Sequence, residues 1–289
     1  MTITPSRSRR SPWIVLTVLL AIIATACSTA EPELVPAALP LTEPATSVVE
    51  QVTTTIATPS TTVTPSTTIA PSTTSTTSTI APDAYRTWIA TAQDHVSWLV
   101  AYEEPAGAPM ELPFLVPNPH QFGGPMSLMV TEGQPGDEWI QVQLPIRPNG
   151  QVGWIPAEDY TLTETRVRAE VNLSETHVAV YDGETLIAET QAVIGSPATP
   201  TPLGTFYVTA VRKNSPSESF LGPYALALSA FSEVHETFSG GLPVIAIHGT
   251  TRPDQVGDAR SNGCIRIPNE VITFLAENVP IGAPVIISA

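Results

Sequence analysis

Downstream of about Asp83 the chain is a succession of short apolar runs broken by turn residues. Trp98-Leu99-Val100-Ala101-Tyr102, Phe114-Leu115-Val116, Met126 to Val130, Trp139 to Leu144 and Gly153-Trp154-Ile155 all have the length of strands. Pro105-Ala106-Gly107, Gly123-Gly124-Pro125, Gly133-Gln134-Pro135-Gly136 and Pro148-Asn149-Gly150 separate them, a rhythm that predicts a small antiparallel β-barrel. Ahead of these runs, Arg86 to His95 reads as a short helix or an extended entry segment. In so small a barrel the tryptophans are expected in the core, so none is assigned to binding.

A second pattern begins near Thr165. Val167 to Val171, His177 to Tyr181 and Thr185 to Ile194 alternate in the manner of half-buried strands, with Asp182-Gly183 turning the chain between the last two. Thr199-Pro200-Thr201-Pro202-Leu203-Gly204 excludes a regular central strand until Thr205 to Thr209. Val271, Phe274, Leu275 and Val279 have helical spacing over 269–279, Pro280 and Gly282 end that helix, and Pro284 to Ile287 forms a last strand. The expected organisation is therefore mostly β, with folded units at 83–164 and 165–289.

The first 82 residues follow a different pattern. Arg7, Arg9 and Arg10 precede the apolar run Trp13 to Ile23, which is too short to span a membrane comfortably and reads as a signal peptide over 1–26. Ala24-Thr25-Ala26 suits an ordinary signal peptidase. The same small residues followed by Cys27 also resemble a lipobox, although no Leu stands three residues before the cysteine, and Cys27 is the candidate lipidation site. Residues 27–82 are dominated by Thr, Ser, Pro and Ala, with tracts such as Ser60-Thr61-Thr62 interrupted by Pro59, Pro65 and Pro71. Such a segment has nothing to bury and is expected to be an extended, solvated stalk.

Charge narrows the partners. The formal net charge is −15, and the basic n-region leaves with the signal peptide, so the mature chain is more acidic still. A nucleic-acid partner is excluded on this ground. Lys213 is the only lysine, so a polybasic membrane-binding face is absent too, and membrane contact is expected only through an N-terminal lipid anchor. His95, His120, His177 and His235 lack metal-ligand spacing, and neither a metal nor a cofactor is predicted.

The candidate chemistry lies in Ser261-Asn262-Gly263-Cys264-Ile265-Arg266, preceded by Ala246-Ile247-His248-Gly249-Thr250. A lone cysteine is ordinarily a small buried hydrophobe. Here its neighbours are polar, a histidine stands sixteen residues upstream, and no partner is evident for a disulfide in an exported chain. Thiolate attack with an imidazole as proton acceptor is the reaction such parts perform. Gly263 permits a tight turn that presents backbone N–H groups to an oxyanion, and the planar fork of Arg266 suits a substrate carboxylate. Arg266 would serve equally well as a brace for the cysteine loop.

In order and spacing, Thr201-Pro202-x-Gly204-x-Phe206, Gly222-Pro223-Tyr224, Ile247-His248-Gly249 and Ser261-Asn262-Gly263-Cys264-Ile265-Arg266 resemble the L,D-transpeptidase catalytic domain of the YkuD type, over roughly residues 166–288. The arrangement is similar to exported, actinobacterial-like members. Trp139-x-x-Val142 with Gly153-Trp154-Ile155-Pro156 resembles bacterial Src-homology-3-like domains over roughly 95–163. The first resemblance implies a β-sandwich that acts on peptidoglycan stem peptides at the cell wall. It makes Cys264 the nucleophile and His248 the general base and then acid, with the Gly249 carbonyl orienting the ring. Gly263 and Cys264 amides would stabilise the oxyanion, and Arg266, with Asn262 and Tyr224, would contact substrate. Many members carry His where Asn262 stands. The implied reaction releases D-Ala and forms 3→3 crosslinks. An L,D-carboxypeptidase using the same thiol, and a non-catalytic wall-binding lipoprotein, remain as alternatives, and the oligomeric state is open.

Overall fold

A computed structural model describes residues 84–289. The expected signal peptide, the stalk and Cys27 lie outside the described residues. In chain order the strands are β1 (Thr87–Ala92), β2 (Ser127–Glu132), β3 (Trp139–Gln143), β4 (Val152–Pro156), β5 (Tyr160–Thr165), β6 (Val167–Asn172), β7 (His177–Asp182), β8 (Thr185–Gln191), β9 (Ile194–Gly195), β10 (Gly204–Lys213), β11 (Tyr224–Phe231), β12 (Val244–His248), β13 (Ala259–Ser261) and β14 (Ile265–Arg266). The helix α1 (Asn269–Asn278) and the strand β15 (Pro284–Ser288) complete the chain, which is mostly β among the described residues.

Two sheets dominate. The N-terminal one has the order β4-β3-β2-β1-β5, and the larger one the order β14-β12-β11-β10-β15-β6-β7-β8. Strand β10 is the corner of the larger sheet. Its first half, Gly204 to Tyr207, pairs with β15, its second half pairs with β11, and the register shifts between Val208 and Ala210. A strand shared in this way bends the sheet so that β6 and β7 face β11 and β12 across one core. Val171, Val178, Val180, Phe206, Leu226, Leu228, Ile245 and Ile247 fill it, and Ile272 and Leu275 of α1 close it from the side. The hairpin between β7 and β8 forms one position later than expected: Asp182 still pairs with Thr185, and the turn residues are Gly183 and Glu184, with Gly183 at φ 59°, a conformation its missing Cβ makes cheap.

The smaller sheet differs from expectation in its details. Arg86 to His95 supplies the strand β1, while Trp98 to Tyr102 makes only isolated bridges and Phe114 to Val116 forms no strand. Pro109, Pro113, Pro117 and Pro119 surround these segments and deny them ladder donors. Its tryptophans are not core. Trp98 is 53% exposed and Trp88, Trp139 and Trp154 are half-buried, whereas Leu128, Ile140, Val142, Leu144 and Ile155 occupy the interior. Two of the indoles instead pack partly exposed on the sheet, Trp139 against Tyr102 with ring centroids 5.1 Å apart and Trp88 beneath the Arg86 guanidinium.

The two sheets share buried polar contacts. Tyr207 of β10 is fully buried within the smaller sheet's core, and its hydroxyl donates to the Gln143 carbonyl at 3.3 Å. The Gln143 side chain donates to the Thr205 carbonyl at 2.6 Å and accepts from Ser229 Oγ at 3.1 Å. Further along, Asn149 donates to the Phe231 carbonyl at 2.8 Å and accepts from its N–H at 2.9 Å. The smaller sheet is thereby fastened to β10 and to the C-terminal end of β11, the strand beside β12.

Candidate active site

Strands β12 and β14 place His248 and the Cys264 loop. They pair in parallel with Ile247 opposite Ile265 and His248 opposite Arg266, so the end of the histidine strand and the exit of the cysteine loop stand side by side. His248, Asn262, Cys264 and Arg266 line one cavity of about 280 Å³ with Phe220, Leu221, Ser232, His235, Phe238, Pro243 to Ile245 and Thr250 to Arg252. No acidic side chain lines it.

The imidazole is fixed by its neighbour. His248 is 4% exposed, and its Nδ1 lies 2.7 Å from the Gly249 carbonyl. A carbonyl can only accept, so the proton sits on Nδ1 and Nε2 is left with its lone pair, the form a general base requires. The Gly249 carbonyl is held in turn through its own peptide plane. The Thr250 N–H at the other end of that plane donates to Asn269 Oδ1 at 2.9 Å, and the Gly249 N–H donates to the Tyr224 carbonyl at 3.3 Å. A Cβ on Gly249 would fall 2.3 Å from Asn269 Oδ1, which restricts this position to glycine.

The cysteine loop is braced from inside. Gly263 has φ 112°, and a Cβ there would meet Ile245 Cδ1 at 2.9 Å. Ser261 Oγ donates to the Cys264 carbonyl and accepts from the Gly263 N–H at 3.1 Å. Thr201 Oγ1 donates to the Gly263 carbonyl at 2.8 Å while accepting from the Gly195 N–H at 2.9 Å. Thr199 Oγ1 donates to the Ser261 carbonyl at 2.9 Å. Three hydroxyls thus hold the turn that presents the half-buried, unpaired Cys264.

Electrostatics give the pair a neutral resting state. Burial lowers the His248 pKa to about 4, and the Arg266 cation adds to this, against the favourable Gly249 and Leu221 carbonyls. Burial raises the Cys264 thiol above its ordinary value, opposed by the Ala246 N–H and by Arg266. At neutral pH the thiol and the imidazole that share this cavity are therefore both neutral.

Residues 166–287 match the YkuD family, the L,D-transpeptidase catalytic domain. The YkuD protein of Bacillus licheniformis is 33% identical over 121 residues, 42% of this chain and 65% of its own length. That of Bacillus subtilis is 38% identical over 95 residues, 33% of this chain and 49% of its own length. The chain thus spans less than two thirds of these curated relatives. Among solved structures, an L,D-transpeptidase from Mycobacterium smegmatis is 18% identical, with 67% of this chain and 82% of that one covered at a TM-score of 0.38. A mutant L,D-transpeptidase of Enterococcus faecium is 25% identical, covering 42% of this chain and 49% of that one at a TM-score of 0.34.

Within the matched residues the structure brings Cys264, His248, Asn262 and Arg266 to the cavity wall, with Asn262 exposed at the rim. Arg266 Nη1 lies 3.5 Å from Gln255 Oε1, and the guanidinium makes no ion pair with a carboxylate among the described residues. Tyr224 is elsewhere: its side chain packs on the core and only its backbone carbonyl serves the site. The Gly263 amide is already engaged by Ser261, which leaves Cys264 with the free amide next to the sulfur. Sequence reasoning missed Thr201, Ser261 and Asn269 as braces, and it missed His235. The first three stand in or beside the recognised motifs, but their partners are backbone groups that only the fold brings near. His235 lies in a polar loop that carries no motif.

Proposed function

We propose that the chain is a peptidoglycan L,D-transpeptidase working through a Cys264 acyl-enzyme. What supports this most directly is the oriented pair: a cysteine on a braced turn and a histidine whose Nδ1–H is committed to Gly249, both opening into one cavity. As Sγ attacks the carbonyl preceding the terminal D-Ala of a tetrapeptide stem, Nε2 of His248 takes the thiol proton and the S–C bond forms. The Cys264 amide stabilises the tetrahedral oxyanion. The C–N bond then breaks, D-Ala leaves with the proton returned by Nε2, and a thioester remains. The side-chain amine of a second stem's third residue attacks the thioester, gives up a proton to Nε2, and expels the thiol, completing a 3→3 crosslink. Arg266 receives the terminal carboxylate of the donor, since the cavity holds no acidic side chain to engage its guanidinium.

By the same reading the protein is exported and tethered at Cys27, the stalk 27–82 gives it reach into the wall, and 83–164 is a Src-homology-3-like domain ahead of the catalytic domain at 165–289. Among the described residues no helix is long and apolar enough to cross a membrane. The test is product analysis of the purified protein with disaccharide-tetrapeptide. A 3→3 dimer and free D-Ala, both absent with Cys264→Ala, are expected. Tripeptide with D-Ala but no dimer would replace the transferase by the L,D-carboxypeptidase, and no product at all would leave the wall-binding reading.

A further inference from the structure

Strand β10 ends at Lys213, and the chain returns to β11 through a loop whose far end is Leu221-Gly222-Pro223. A short 3-10 turn over Pro216–Leu221 precedes that end, and the carbonyls that close a helical turn need donors from outside it. Asn214 supplies them. Its N–H donates to the Pro223 carbonyl at 2.9 Å, and its Nδ2 donates to the Leu221 carbonyl at 3.3 Å and to the Gly222 carbonyl at 3.0 Å. One residue thus holds three consecutive carbonyls. Its Oδ1 is buried and has no hydrogen-bond partner. Folded proteins keep few such atoms. The same amide turned round would set its oxygen against two carbonyl oxygens, so the hold on Leu221 and Gly222 fixes its orientation and leaves Oδ1 unpaired.

The turn held in this way lies directly on the residue that orients the imidazole. Gly222 has φ 67°, and a Cβ on it would fall 2.5 Å from Gly249 Cα and 2.4 Å from Asn269 Oδ1. A Cβ on Gly249 would fall 2.9 Å from Gly222 Cα and 3.1 Å from Pro223 Cδ. The two backbones therefore touch with no side chain between them. At the exit of the turn the Tyr224 carbonyl accepts the Gly249 N–H at 3.3 Å, and Ala225 pairs with His248 across β11 and β12. Leu221 and His248 line the same cavity, and the Leu221 carbonyl is close enough to the ring to favour its protonated form. A carbonyl oxygen has two lone pairs, so this one can take the Asn214 donor and still act on the imidazole. Displacing the turn would disturb both backbone carbonyls that act on His248, that of Gly249 through the backbone contact and that of Leu221 directly.

Resting on the proposed reading of the reaction, we infer that Asn214 is a positioning residue: by holding the Leu221 and Gly222 carbonyls it fixes the turn that keeps the His248 ring aimed for proton transfer. Asn214 itself does not line the cavity and acts only through this turn. The test compares the full chain with its Asn214→Ala and Gly222→Ala variants, the second leaving Asn214 in place while driving a Cβ into Gly249. Two readouts are taken. One is kcat and KM for D-Ala release from a tetrapeptide donor, and the other is the Nδ1–H resonance of His248 in protein labelled with nitrogen-15 histidine, assigned by its absence from His248→Gln. In both variants kcat falls about 10–100-fold with KM changed by less than about threefold, the signature of a misaimed catalytic group. The Nδ1–H resonance shifts upfield or is lost to exchange with water as its bond to the Gly249 carbonyl loosens. An unchanged resonance and kcat in Asn214→Ala overturns the inference even if Tm falls, because that marks a purely structural residue. A rise in KM with kcat preserved overturns it as well, and so does failure of both variants to fold. If the wild type itself releases no D-Ala, the transpeptidase reading falls, and the resonance alone then decides whether Asn214 positions the ring.

Discussion

Replacing Asn149 by Ala tests whether the smaller sheet supports the cavity that holds Cys264 and His248. The substitution removes both hydrogen bonds that bracket Phe231, the 2.8 Å bond to its carbonyl and the 2.9 Å bond from its N–H. Phe231 is 3% exposed and packs its ring edge-on against Phe114, so water has poor access to the peptide groups left behind. Each unpaired backbone group costs about 1–3 kcal/mol, which puts the loss at about 2–4 kcal/mol after partial rehydration. For a folded unit of this size that corresponds to a fall in Tm of about 5–15 °C. Phe231 leads directly into Ser232 and the His235 loop, so donor KM is expected to rise in the same variant. Thermal unfolding followed by circular dichroism, together with D-Ala release kinetics, reads both effects. A Tm within about 2 °C of wild type with unchanged KM would refute the claim that this contact organises the cavity wall.

Further outcomes follow from the braces and the buried histidine. Thr201→Val strips the Gly195 amide and the Gly263 carbonyl of their shared hydroxyl, so a loss of about 2–4 kcal/mol in urea unfolding is expected, with Thr201→Ser close to wild type. Asn269→Ala frees the Gly249–Thr250 peptide plane to rotate away from the imidazole, and kcat should drop about tenfold or more with KM little changed, as seen in steady-state kinetics. Because the folded His248 pKa lies at about 4, below the 6.5 of the free side chain, the unfolded chain binds the proton first. Its contribution to stability is therefore complete above pH 6.5 and declines by up to about 3 kcal/mol as the pH falls toward 4. Urea unfolding of wild type and His248→Gln across that window should differ in slope by this amount, and parallel curves would contradict it.

What the sequence could show depended on whether an interaction was local. The hairpin after β7, read one position early, the α1 helix with its apolar stripe, and the pairing of the His248 strand with the exit of the Cys264 loop all rest on neighbours or on short spacings, and they were readable. Strand β5 was not, because Thr161, Thr163 and Glu164 give it a polar face and its partner β1 lies more than sixty residues away. Trp98 to Tyr102 looked like a strand because apolar runs of that length usually are, yet prolines on the facing segment leave it only bridges. In the site, Cys264 and His248 stood out by residue type, and the structure brings both to one cavity. The hydroxyls and the amide that fix their geometry did not stand out, since Thr201 reaches a carbonyl 62 positions on and Asn269 an amide 19 positions back.

The measurement that bears most directly on the central claim is intact mass of the protein quenched during turnover of a D-Ala-terminated tetrapeptide donor. The account predicts an adduct equal to the donor minus D-Ala, mapped by proteolysis to Cys264, lost in Cys264→Ala and formed far more slowly in His248→Gln. Donor consumption with no adduct on Cys264, or consumption that continues in Cys264→Ala, would contradict it.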